Sequence, residues 1–200
     1  MSALPLAVTR MSLTEFFARD EREEYHNGEV FPIVDVTVSQ GTIVMNAGRR
    51  FGERLDGKPC LVIASPTVRI HAGVFVLPDI AVICGRPAYA TESAKAITNP
   101  KLIGEVLSPS TAGYDHGGKF DLYEMLPSLE EYLLISQAAP RIKTLHKASR
   151  NSWKLTIYEG LESAVNIASL GIEIPIAEFY AGVEFPPPAP GPRTRSRRRR

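Results

Sequence analysis

The sequence predicts an α/β (α+β) domain built on a central mixed β-sheet flanked by helices. Two observations carry this expectation. Apolar residues recur at helical spacing in one long segment and at strand density in several short ones, in the order helix, three or four strands, helix, strand. The chain has 200 residues, 44% hydrophobic and 22% charged, enough to bury one sizeable core but short for two. One domain over 1–185 is therefore expected, followed by a Pro-rich linker and an arginine-rich, disordered tail over 186–200.

Ser12-Leu-Thr-Glu15 reads as a capping box in which Ser12 caps a helix start and Glu15 reaches back, predicting a short helix over 12–20. His26-Asn27-Gly28-Glu29 is a hairpin signal, because Asn-Gly tolerates the positive φ of a tight turn between Glu24-Tyr25 and Val30-Phe31. Ile43, Val44, Ala47, Phe51 and Leu55 mark the first long helix, which Asp56-Gly57-Lys58-Pro59 stops. Three β-rich runs follow at Leu61–Ala64, Thr67–Ile70 and Ile80–Ile83, with a Gly-containing connection suited to a hairpin between the last two. The polar stretch from Arg86 to Pro100 reads as a loop with one helical turn near Ser93–Ile97, and Leu102–Leu107 as the next strand. Asp115 to Leu126 predicts a second helix with Phe120, Tyr123, Met125 and Leu126 packed inward. Glu131–Ser136 is a buried strand, Arg141–Lys147 and Trp153–Tyr158 an added C-terminal hairpin or meander, and Pro175–Tyr180 a short closing helix. There is no internal repeat.

Composition narrows the function. No apolar run reaches the roughly 20 residues of a membrane span, and Met1-Ser2-Ala3-Leu4-Pro5 lacks the regions of a signal peptide, so no membrane partner and a cytoplasmic location are expected. Cys60 and Cys84 each sit in or at the end of a β-rich apolar run and read as small buried thiols, neither a disulfide framework nor a metal site. The net charge is +1, but six arginines lie in the last eight residues, and without them it is −5. An acidic body argues against a broad basic DNA-binding face, although bound divalent ions would alter the local field. The tail reads equally as a phosphate binder or a solvated segment.

The chemistry concentrates in three residues. Pro78-Asp79 opens one apolar strand, and Glu105 lies inside another, between Leu102-Ile103 and Val106-Leu107. A carboxylate taken out of water is costly unless paired, hydrogen-bonded or metal-bound. If the two strands are neighbours, both carboxylates reach one point, and a pair of this kind suits Mg2+ or Mn2+ with room for water and phosphate oxygens. Lys119, near the start of the next helix, would turn back toward that strand end and orient or help activate an attacking water.

Taken singly, each residue has a plainer reading: a strand-start Asp, a paired buried Glu, a solvent-facing Lys. Asp115 reads as a helix cap, and Tyr114 and Tyr123 as packing residues. His26, His71 and His146 read as structural or surface histidines, and His116 as a loop histidine beside the candidate site. Ser108, Ser110 and Thr111 form no nucleophile elbow, and no Gly-rich loop of the Walker or dinucleotide type is present.

Pro78-Asp79-Ile-Ala-Val82 and Glu105-Val-Leu-Ser-Pro-Ser-Thr111, followed by Tyr114-Asp115, Lys119 and Tyr123, resemble the bacterial restriction endonuclease family of Uma type, within the PD-(D/E)xK superfamily. The likeness runs from Leu13-Thr-Glu-Phe16 and Glu24-Tyr-His-Asn-Gly-Glu29, through Gly57-Lys-Pro-Cys60, to Ser128-Leu-Glu-Glu-Tyr132 and 174–184. It implies a restriction-endonuclease-like core, a metal held at Asp79, Glu105 and Val106, and catalytic roles for Asp79, Glu105 and Lys119. Leu107 stands where the usual strand lysine would be, so the resemblance implies that the lysine has migrated to the helix. Glu24 matches an N-terminal glutamate that could join the site, with Glu29 a weaker candidate. Members often carry a histidine near the start of the first long helix, where this chain has Gln40.

The expected function is thus Mg2+- or Mn2+-dependent hydrolysis of DNA phosphodiester bonds. The alternative is a catalytically silent module of the same fold that binds nucleic acid or protein. Homodimerisation would suit a nuclease that cuts both strands, but no segment of the sequence marks an interface.

Overall fold

The computed structural model describes residues 9–19, 21–33, 36–107, 118–150 and 152–185. The expectations placed on 108–117, among them Asp115 as a cap and His116, and on the tail 186–200 lie outside the described residues.

Helix α1 (Leu13–Ala18) starts as its capping box dictates: Ser12 Oγ accepts from the Glu15 N–H, and the Glu15 carboxylate accepts from the Ser12 N–H. Strand β1 (Thr9–Arg10) precedes α1, and strands β2 (Glu23–His26) and β3 (Glu29–Pro32) follow it, with Asn27 and Gly28 both at positive φ in the β2–β3 turn. Helix α2 (Val38–Arg54), capped by Thr37, buries Ile43, Ala47 and Phe51, a four-residue repeat that keeps one stripe against the core. Each such fully buried large apolar side chain contributes about 1.5–3 kcal/mol.

The main sheet has the order β12-β11-β10-β9-β7-β4, from β4 (Cys60–Ala64), β7 (Ile80–Cys84), β9 (Leu102–Leu107), β10 (Glu131–Ser136), β11 (Arg141–Ser149) and β12 (Ser152–Glu159). Only β9 and β10 are parallel, and the others pair antiparallel. The central strands are buried on both faces, which explains their unbroken apolar runs. One face carries α2, the ribbon β13–β14 (Ala164–Ile167, Ile172–Pro175) and helix α4 (Ile176–Phe179), after the short helix α3 (Gly118–Tyr123) in chain order. α3 belongs to the other face, where Tyr123 and Leu126 pack with Ala81, Ile103 and Leu134.

A second six-stranded sheet also covers that other face, in the order β1-β3-β2-β6-β5-β8, with β5 (Thr67–His71), β6 (Val74–Val76) and β8 (Ala96–Ile97). The mixed α+β architecture stands, but several local expectations change. The run Thr67–Ile70 does not turn back onto Ile80–Ile83. It forms a hairpin with β6, while β7 pairs with β4. In that hairpin Gly73, at φ +109, lies against Asn27, whose Oδ1 is 2.8 Å from where a Cβ would stand. The Arg86–Pro100 stretch contains β8, a two-residue strand held by pairing with β5 rather than by propensity. Met125 is exposed, in the turn that follows the end of α3 at Tyr123, while the next residue, Leu126, stays buried.

The cysteines are not thiols: Cys60 and Cys84 form a disulfide. They are direct partners in the β4–β7 register, with Cα atoms 4.0 Å apart, so the pairing follows from strand register and no local motif announces it. A disulfide is unusual in a reducing compartment, and it is the structural feature that bears on the cytoplasmic expectation. Closing a loop across a separation of 24 residues is worth about 3 kcal/mol by chain entropy. Reduction with a thiol reagent should therefore lower the thermal midpoint, and the Cys60→Ser variant should unfold at the reduced protein's midpoint with or without reagent. No helix among the described residues is long and apolar enough to cross a membrane.

Candidate active site

Extending the β7–β9 register from Ile80↔Gly104 by one residue puts Asp79 opposite Glu105, on the face that the second sheet and α3 cover. Asp79 is anchored at both ends. Its carbonyl accepts from the Ser65 N–H at 2.8 Å, and its Oδ2 accepts from the Val106 N–H at 2.7 Å. Oδ1 accepts from the Gln40 side-chain amide at 3.3 Å, from the first turn of α2. Burial raises the Asp79 carboxyl above its usual value, outweighing the Val106 N–H, the Lys119 charge and the Gln40 amide. Asp79 is therefore an under-compensated carboxylate.

Glu105 is 4% exposed, and its Oε1 accepts from Lys119 Nζ at 3.0 Å and from the Tyr123 hydroxyl at 2.6 Å. Lys119 and Tyr123 are four residues apart on α3, one above the other on the same face, which is why both reach one oxygen. Deep burial, and after it the charge of Glu105, push the Tyr123 hydroxyl well up, so it stays a hydrogen-bond donor at physiological pH. Lys119 also pairs with Glu24 Oε1 at 3.3 Å, and that oxygen accepts from the Leu77 N–H at 3.1 Å. Burial would raise Glu24, but Lys119, His26 and the Leu77 N–H outweigh it and hold the carboxyl low.

The structure thus brings Asp79, Glu105, Lys119 and Glu24 into one corner between the two sheets and α3. It does not bring in Glu29, which pairs with Arg10 on the far edge of the second sheet. Three contributors were not visible in the sequence as site residues. Tyr123 has its ring in the core and its hydroxyl on Glu105. Gln40 donates to Asp79 from the first turn of α2. His26 does not sit at the surface: its side chain is 11% exposed and its Nε2 is 3.5 Å from Glu24 Oε2. The available signal was the period of two along β2, which puts Glu24 and His26 on one face.

Among the described residues no three His, Cys, Asp or Glu side chains are arranged to enclose a cation. The donor set at this corner is instead oxygen-only and sparse. Asp79 and Glu105 supply carboxylates, and Val106 supplies a carbonyl that leaves β9 on the same side as its N–H, toward Asp79. That set fits a hard cation such as Mg2+, which takes one or two carboxylates and retains waters. The raised Asp79 carboxyl fits as well, because a cation would favour its ionised form.

A family model described as "Putative restriction endonuclease" (Uma2) matches residues 9–177. Two uncharacterized proteins of Synechocystis sp., slr1290 and sll1609, are each 30% identical to the chain. The matches cover 88% and 81% of this chain and 94% and 95% of those proteins. A crystal structure from Anabaena variabilis, described as "a putative nuclease belonging to DUF820", superposes with a TM-score of 0.69 at 14% identity, over 87% of this chain and 99% of that one. At that identity the likeness establishes a shared fold.

Proposed function

This chain belongs to the Uma2 family, and on that premise we propose that it is a divalent-metal-dependent endonuclease that hydrolyses DNA phosphodiester bonds at the Asp79–Glu105–Lys119 corner. The observation that carries the proposal is the meeting of three elements at one point. The Asp79 carboxylate rests on the backbone of Val106, and the carboxylate of the preceding Glu105 is held by Lys119 of α3.

Asp79, Glu105 and the Val106 carbonyl would hold the ion, which supplies Lewis-acid neutralisation of phosphate charge and lowers the pKa of water. Lys119, fixed between Glu105 and Glu24, presents a positive donor to an attacking water or a phosphate oxygen without a search through rotamers. Glu24 holds Lys119 in place. Tyr123 and Gln40 orient the two carboxylates. In the overall reaction the water oxygen forms a new P–O bond, one ester P–O bond breaks, and the departing alkoxide gains a proton.

Supercoiled plasmid incubated with the protein and Mg2+ or Mn2+ is the direct test. Nicked and linear forms should accumulate with metal, vanish with chelator, and vanish in Glu105→Ala. Metal-dependent cleavage that persists in Glu105→Ala would remove the site assignment.

The other reading, a silent module that binds nucleic acid or protein, draws on Gln40 and on the acidic body. It predicts no Mg2+ or Mn2+ binding heat in a calorimetric titration of the wild type.

A further inference from the structure

Strand β12 is an edge of the main sheet, and β11 is its only strand partner among the described residues. The Gly160 N–H bonds to the Pro140 carbonyl at 3.0 Å, which sets the alternation along the β11–β12 pair. Lys154, Thr156 and Tyr158 therefore spend their N–H and C=O groups on β11. Trp153, Leu155 and Ile157 direct theirs outward, off the sheet, as does the Glu159 N–H, while the Glu159 carbonyl accepts from Ser163 Oγ at 2.6 Å. Leu155 and Ile157 also share one face and are 55% and 44% exposed. An edge of eight residues with two neighbouring apolar side chains, on which the outward backbone groups of Trp153, Leu155 and Ile157 have no partner among the described residues, invites strand addition.

We propose that two copies of this chain pair β12 with β12 antiparallel about Thr156, joining two six-stranded sheets into one continuous sheet with both Asp79–Glu105–Lys119 corners on the same side. A two-fold axis normal to the sheet keeps faces matched, so only even offsets are allowed. Centring on Thr156 sets Leu155 opposite Ile157 of the partner subunit, and the reverse, so the exposed apolar groups cover each other. It also sets Trp153 opposite Glu159 of the partner subunit. Lys147 Nζ lies 5.4 Å from the centre of the Trp153 ring, and Glu159, paired with Arg141 of its own chain at 3.0 Å, keeps its side chain 64% exposed, so across the seam the Lys147 cation adds to an existing ion pair. Centring on Leu155 would place Ile157 of the partner subunit at Trp153 and lose that charge match. No like charges face each other in the Thr156 arrangement.

Seven inter-strand steps of about 4.8 Å separate β9 from its copy, or roughly 34 Å, which is about one turn of B-DNA. The pairing of copies stands without the nuclease reading. Its consequence, two sites engaging one face of a duplex a turn apart, rests on that reading.

The test is the mass of the full chain by sedimentation equilibrium in the absence of DNA. The wild type should be a dimer at micromolar concentration, and the double variant Leu155→Lys/Ile157→Lys a monomer with an unchanged circular dichroism spectrum. In addition, Thr156→Cys should form an intermolecular disulfide under mild oxidation, because that position faces itself across the axis. A monomeric wild type, or a dimer that survives the double variant, would overturn the proposal. A dimer that crosslinks through Leu155→Cys and not through Thr156→Cys would overturn the register. A dimer without nuclease activity would leave the pairing intact and count only against the catalytic reading.

Discussion

Lys119→Met should lower folding stability by about 3–5 kcal/mol, because removing one partner of a buried ion pair strands the other. Here it strands two, Glu24 and Glu105, at 3.3 and 3.0 Å from the ammonium. The pH dependence carries a sign. In the wild type Glu24 is held below its usual 4.5, so its contribution to stability is full above that value and lost as pH falls through the lowered one. Without Lys119 the opposing burial effect prevails, and the variant should instead gain stability on acidification. Adding Glu105→Gln to Lys119→Met should recover part of the stability, since a neutral amide tolerates the site better than an uncompensated carboxylate. It should recover none of the cleavage. Denaturant titration at several pH values reads the first effect and plasmid nicking the second. A double variant that regained both would make Lys119 purely structural.

Asp79→Asn should do the reverse. Burial already disfavours the charged carboxyl at this position, so a neutral isostere should leave the metal-free protein at least as stable. The Gln40 and Val106 contacts are kept in part, since Asn retains one acceptor oxygen. Metal-dependent cleavage, however, should fall by about 10^3-fold or more, the rate equivalent of the several kcal/mol that a bound divalent ion supplies. Stability maintained with activity lost is the signature of a residue kept for function. The matched measurements are a thermal midpoint without metal and a calorimetric Mn2+ titration. A large loss of stability together with unchanged Mn2+ heat would reassign Asp79 to the scaffold.

Much of the local structure was legible in the residues. The Ser12–Glu15 capping box and the Asn27-Gly28 turn are governed by contacts within four residues, so sequence alone determined them. The α2 stripe was likewise legible, because Ile43, Ala47 and Phe51 repeat with the helix. Glu105 stood out because a carboxylate inside Leu102–Leu107 carries a desolvation cost that demands a partner.

What stayed hidden depends on register and packing between distant segments. The Cys60–Cys84 bond exists because β4 and β7 pair with those two residues face to face. β8 is two residues long and is a strand only because β5 lies beside it. His26 becomes part of the corner because β2 joins the second sheet, which itself could not be foreseen from an isolated hairpin. Sequence by itself thus determined the helix starts, the main-sheet strands, the family and the suspicion attached to Asp79, Glu105 and Lys119, and it missed the short strands β1, β6, β8, β13 and β14. Only the tertiary structure decided that a lysine and a tyrosine one helical turn apart share a single Glu105 oxygen and that Gln40 supplies the donor at Asp79. The physical reason is range: caps and periodicity act within a few residues, whereas a carboxylate's partners are chosen by whichever strands and helices the core brings together.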